Sequence, residues 1–180
     1  MYGSRRASCH ASNSTLYPDA HSVRLSTQLA DSGFRHLGDP RAERFQLEIY
    51  PHPALIEIFS LDERLKYKKG PVNEKREGQV RLAGLLRSLA RSTVLALEVP
   101  DRFARWLDRD RILRLKGDGL KRNEDALDAL VCLYVCGLYA IGEPYRRFGD
   151  LESAYIVVPA SRCADATRVG SARRDRREPR

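Results

Sequence analysis

The segment Lys121 to Gly142 reads KRNEDALDALVCLYVCGLYAIG. It carries three acids, Glu124, Asp125 and Asp128, and from Ala129 to Gly142 it holds only apolar residues and glycine. That run is shorter than the roughly 20 residues a bilayer span needs, and suits a helix buried inside a soluble domain. Asn123 is expected as its N-cap, which puts Glu124 and Asp125 in the first turn, where each complements the helix dipole by about 0.3–1 kcal/mol. Asp128 lies past that turn, and Cys132, Val135 and Tyr139 continue its face. An ionised carboxylate there costs several kcal/mol unless it is paired, hydrogen-bonded or bound to a cation. Asp125 and Asp128, three apart, project from one side with Cβ atoms roughly 5–6 Å apart, close enough to share a divalent ion. A salt bridge to an Arg or Lys of the chain is the alternative balance.

Working outward, 180 residues at 42% hydrophobic and 31% charged suffice for one domain with a real core. The net charge of +8 invites a nucleic-acid reading, but Ser161 to Arg180 holds seven Arg against three acids and so supplies half of it. The expected organisation is a polar lead-in over 1–18, one domain over 19–160 and a basic, unpacked tail over 161–180. Cysteines 9, 132, 136 and 163 form no CxxC pair and no signal-peptide pattern opens the chain, so a cytoplasmic protein with reduced thiols and no membrane partner is expected. Cys132 and Cys136 read as small core residues, and Cys9-His10 has no partner at ligand spacing.

Asp19 to Ser32 has helical spacing and stops at Gly33. In FQLEIYPHP, Phe45, Leu47 and Ile49 alternate with Gln46, Glu48 and Tyr50, a strand closed by Pro51 and Pro53, with Glu48 pointing away from the apolar face. PALIEIFSL begins with proline at a first helical position and gives a short apolar turn or helix. A charged connection with a Gly-Pro break runs from Asp62 to Gly78, and Gln79 to Ala90 is predicted helical. TVLALEVP is expected as a strand, DRFARWLDRDRILRL as helical before a KGDG break, and AYIVVP as the last strand. Strands separated by helices point to an α/β layered domain.

The pieces LEIYPHPALIEIF, RLKYKKG, KREGQVRLAGLLRSL, KRNEDALDALVCLYVCGLYAIG and FGDLESAYIVVP together resemble the bacterial family of predicted RNase H-like nucleases called domain of unknown function 429. The resemblance spans about Arg5 to Pro159. DALDAL, Asp125 to Leu130, is also similar to the carboxyl-terminal acidic motif of Holliday-junction resolvases. It implies a mixed sheet with flanking helices and a nuclease in which Glu48, Asp125 and Asp128 hold Mg²⁺ or Mn²⁺ and carry phosphodiester hydrolysis. Glu124 is an accessory acid in this picture. His52 is either a group that orients water or phosphate, or a hydrogen-bonded loop residue. Lys66, Lys68, Lys69, Arg76 and Arg81 are candidate phosphate contacts, each with a solvated surface as its alternative.

One departure stands against these matches. The family's fold begins with an antiparallel meander whose first strand carries a leading Asp, and before Glu48 this chain has only Asp19, Asp31 and Asp39, none in an apolar alternating run. A domain incomplete at its N-terminus, with a weakened metal site, is therefore expected. The second functional reading is a noncatalytic nucleic-acid- or protein-binding remnant in which the acids only cap and pair.

Overall fold

A computed structural model describes residues 17–41, 43–152 and 154–160. Cys9, His10, Cys163, most of the lead-in and the basic tail lie outside the described residues. The fold is mixed α/β. Its elements are α1 (His21–Asp31), β1 (Phe34–His36), β2 (Arg44–Gln46), α2 (Pro51–Phe59), α3 (Val72–Ser88), α4 (Asp101–Ala104), α5 (Arg109–Arg114), α6 (Gly117–Ala140), β3 (Tyr145–Asp150) and β4 (Ala154–Pro159), with one-turn 3₁₀ segments at Leu89–Arg91 and Arg105–Leu107.

β1 and β2 pair in parallel, Arg35 opposite Phe45, and β3 and β4 pair antiparallel, Phe148 opposite Ile156. A parallel bridge between Ile49 and Val157, with the Val157 N–H donating to the Glu48 carbonyl at 2.8 Å, ties the two pairs together. The strand expected over Phe45 to Tyr50 is thus broken into a short ladder and a single bridge. Its face assignment changes as well. Gln46, expected outside, is 8% exposed, because its amide donates to the Ser26 and Phe34 carbonyls and accepts from the Ser26 hydroxyl.

Pro51 begins α2, where a missing N–H leaves no intrahelical bond unmade. From α2, Leu55 and Ile58 join Leu82 and Leu86 of α3 and Leu127, Val131 and Leu138 of α6 in the main core, while Ile56 packs on Ile156 and Val158 of β4. α3 starts seven residues before the expected Gln79, immediately after Pro71. It crosses the extended stretch Leu65–Tyr67 so closely that a Cβ on Gly78 would sit 1.9 Å from the Lys66 carbonyl oxygen.

Three further expectations are corrected. TVLALEVP forms no strand: Leu97 N–H bonds to the Leu89 carbonyl, Leu97 lies in the main core, and Val94, Leu95 and Val99 pack against it, so its apolar residues find burial without a ladder. DRFARWLDRDRILRL is helical only in short pieces. The break expected at KGDG falls at Leu115 and Lys116, and Gly117 to Gly119 already belong to α6. Asn123 is therefore not an N-cap but a buried residue inside α6, donating to Gln79 Oε1 and the Trp106 carbonyl and accepting from Arg111. Nor is α6 buried all round, for Ala129 and Ala140 are exposed and Leu133 is 61% exposed. The sequence reading passed over β1 and β3; β3, YRRFGD, is exposed at five of its six positions and has no apolar alternation to betray it.

Candidate functional site

With α6 starting at Gly117, Glu124 and Asp125 sit in its second and third turns, too far along for dipole complementation to account for them. Glu124, Asp125 and Asp128 bring their carboxylate oxygens within 4.8 Å of one another. Glu124 is buried, Asp125 exposed and Asp128 half-buried.

Each acid meets a cation of the chain. Lys121 Nζ lies 2.8 Å from Glu124 Oε1 and 2.7 Å from Asp125 Oδ1, one helical turn away. These two bonds, the one to Asp125 foremost, raise the Lys121 pKa. Lys68 Nζ lies 2.5 Å from Asp128 Oδ2, and the Tyr67 hydroxyl donates to Asp128 Oδ1 at 2.6 Å. Tyr67 is fully buried, and burial followed by the Asp128 charge raises its phenol pKa well above the ordinary value. Asp128 is thus balanced by a neighbouring hydroxyl and an ammonium, both from the KYKKG stretch.

His52 stands beside this network on the first turn of α2, T-shaped against Tyr50 at 5.4 Å and Tyr67 at 5.1 Å. It is 6% exposed, and its Nδ1 has no hydrogen-bond partner among the described residues. Burial, then the positive charges of Lys68, Arg64 and Lys69, hold its pKa down at about 4, so the ring is neutral at pH 7. It is a helical residue and no loop.

Glu48 is not drawn into the three-acid cluster. It lines a groove of ≈ 500 Å³ with His36, Gln46, Tyr155, Cys132 and Cys136, and those two cysteines are one and two turns past Asp128 on α6. Burial pushes the Cys132 thiol up to about 12, with the Asp128 charge adding to it, and burial raises the Cys136 thiol too. Of the expected phosphate contacts, Lys66, Lys69 and Arg81 are exposed. Lys68 is committed to Asp128, and Arg76 donates to the Leu115 carbonyl at 2.6 Å and to Asn73, pinning α3 to the end of α5.

Sequence reasoning missed Tyr67 as the partner of Asp128. The signal was there in the alternation of Leu65 and Tyr67, both buried, with the lysines between and after them. Among the described residues, no helix is long and apolar enough to cross a membrane.

A family model described as protein of unknown function (DUF429) matches residues 3–153. No curated protein and no solved structure matches the chain.

Proposed function

The chain belongs to this family of proteins of unknown function (DUF429), and from the α6 acids together with the resemblance of its motifs to RNase H-like nucleases we propose a divalent-metal-dependent phosphodiester hydrolase, a nuclease with an RNase H-like fold. The observation that carries the proposal is the convergence of three carboxylates within 4.8 Å on successive turns of one helix. The donor set is all oxygen and anionic, which fits the hard ions Mg²⁺ and Mn²⁺ and not a thiolate-seeking metal. Glu124, Asp125 and Asp128 would hold the ion, and it would supply charge stabilisation to a phosphodiester under attack.

The chain's own groups prepare that face. Tyr67 orients Asp128 through Oδ1 and leaves Oδ2 to a cation, here Lys68. Lys121 offsets the repulsion between Glu124 and Asp125 in the same way. A phosphate brought to Asp128 meets Lys68, with Lys66 and Lys69 exposed on either side of it in sequence. Glu48 lines the groove further along α6, beside Cys132 and Cys136.

The second reading, a noncatalytic binding module, is favoured by a specific observation: every acid of the cluster already has a lysine on it. Incubation with end-labelled single-stranded and duplex oligonucleotides in Mn²⁺, Mg²⁺ or EDTA separates the two. The nuclease reading expects cleavage that needs the metal and disappears in Asp128→Asn. Folded protein that cuts nothing with either ion, or a variant that cuts as well as its parent, decides for the second.

A further inference from the structure

The α4–α5 corner carries a feature that the acid cluster does not use. Between Asp101 and Lys116 six basic residues stand against three acids. Three guanidinium groups there lie over aromatic rings: Arg102 over Phe103 at 4.9 Å, and Arg105 and Arg111 over Trp106 at 4.8 and 4.9 Å. Two guanidinium ions on one indole repel each other. Among the described residues, no carboxylate lies within salt-bridge distance of Arg102, Arg105, Arg111 or Arg114. Arg111 is fixed further, donating to Asn123 Oδ1 at 2.7 Å, which anchors the corner to α6 at the residue preceding Glu124.

We propose that this corner, Arg102, Phe103, Arg105, Trp106 and Arg111, is a binding surface for single-stranded nucleic acid. The proposal rests on the phosphodiester reading above and names its substrate class. With Arg111 already donating to Asn123, Arg102 and Arg105 are the guanidinium groups over rings that have N–H edges left to meet a phosphate in two parallel hydrogen bonds. Phe103, 44% exposed, offers a face to an unstacked base. Duplex bases show no such face, and an acidic peptide would use the charges but not the ring, so charge and aromatic together select a flexible single strand.

Trp106 is the only tryptophan of the chain, so its fluorescence reports on this surface directly. The full-length protein is titrated with oligo-dT in EDTA, following Trp106 emission and the anisotropy of a labelled strand at several salt concentrations. The expected result is a change in Trp106 emission on binding, with Arg102→Ala plus Arg105→Ala weakening binding tenfold or more and lowering the salt slope by about 1.4. Phe103→Ala is expected to cost roughly fivefold for oligo-dT and nothing for poly-glutamate. Equal affinity for poly-glutamate and oligo-dT, silent Trp106 emission, or arginine variants that bind like the parent while Lys66→Ala plus Lys69→Ala does not, would overturn the assignment. Since EDTA is present throughout, failure here leaves the metal proposal standing, and absence of a metal site leaves this binding intact.

Discussion

The Tyr67 hydroxyl reaches Asp128 at 2.6 Å across 61 residues of sequence, joining the KYKKG stretch to the middle of α6. The phenol ring is fully buried. Tyr67→Phe keeps the packing and removes one donor from a half-buried carboxylate, so it is expected to cost about 1.5–3 kcal/mol, the range for hydrogen bonds to charged groups. Urea unfolding with an unchanged m-value is the check. A loss below the error of the measurement would mean that Asp128 is held by Lys68 alone.

Lys68 occupies the Asp128 oxygen that an ion would take. Lys68→Ala is expected to strengthen Mn²⁺ binding while lowering thermal stability, since a competing cation goes and a partly buried carboxylate loses its partner. Were the pair purely structural, the variant would be less stable and would gain no affinity. Parallel calorimetric and melting measurements distinguish the two.

Gly78 and Gly84 lie on one helix and should respond oppositely to alanine. At Gly78 the added methyl meets the Lys66 carbonyl oxygen at 1.9 Å, backbone that cannot swing aside, and a loss of at least about 2 kcal/mol is expected. At Gly84 it meets nothing within 4 Å, and helix propensity should give a gain of about 0.5–1 kcal/mol. Chemical denaturation of both variants tests whether α3 crosses the Leu65–Tyr67 stretch as described.

His52 makes stability pH-dependent. Its folded pKa, about 4, lies below the ordinary 6.5, so the unfolded chain takes up a proton first as pH falls. Its contribution is therefore complete above pH 6.5 and is lost as pH drops towards 4, at no more than about 1.4 kcal/mol per pH unit. Melting curves across that window should show a steeper loss for the parent than for His52→Phe. Parallel curves would mean that the ring does take a proton in the folded protein.

How far the sequence carried can be judged residue by residue. Helical spacing located α1 within two residues at its start, because that signal is local, whereas α2 was expected from Pro53 and starts two residues earlier, at the Pro51 that was read as closing the strand. Asp125 and Asp128 were read as neighbours on one side of α6, but Glu124, which stands with them, was read as an accessory and Glu48, which does not, as their partner. The helix start was also misplaced, since Asn123 has an N-cap's chemistry but its amide is consumed by Gln79 and Trp106, partners 44 and 17 residues away. Val94 to Val99 read as a strand because an apolar run packed on a core carries the same composition as one in a ladder. β3 was invisible because an exposed edge strand carries no burial pattern. Glu48 was placed on a strand face by assuming the apolar side is the buried one, whereas Gln46 is buried and Leu47, Glu48 and Ile49 all line the groove beside it. Lys68 on Asp128 depended on how the chain folds back, whereas Lys121, three and four residues from Glu124 and Asp125, was within reach of spacing rules.

The central claim is that the α6 carboxylates take a divalent ion, and calorimetric titration with Mn²⁺ of the parent against Asp128→Asn tests it most directly. The account predicts a saturable heat in the parent, weakened at least tenfold in the variant while its melting remains cooperative. Identical traces with no saturable heat in either protein would contradict it, leaving Lys68 and Lys121 as the cations those acids were placed to meet.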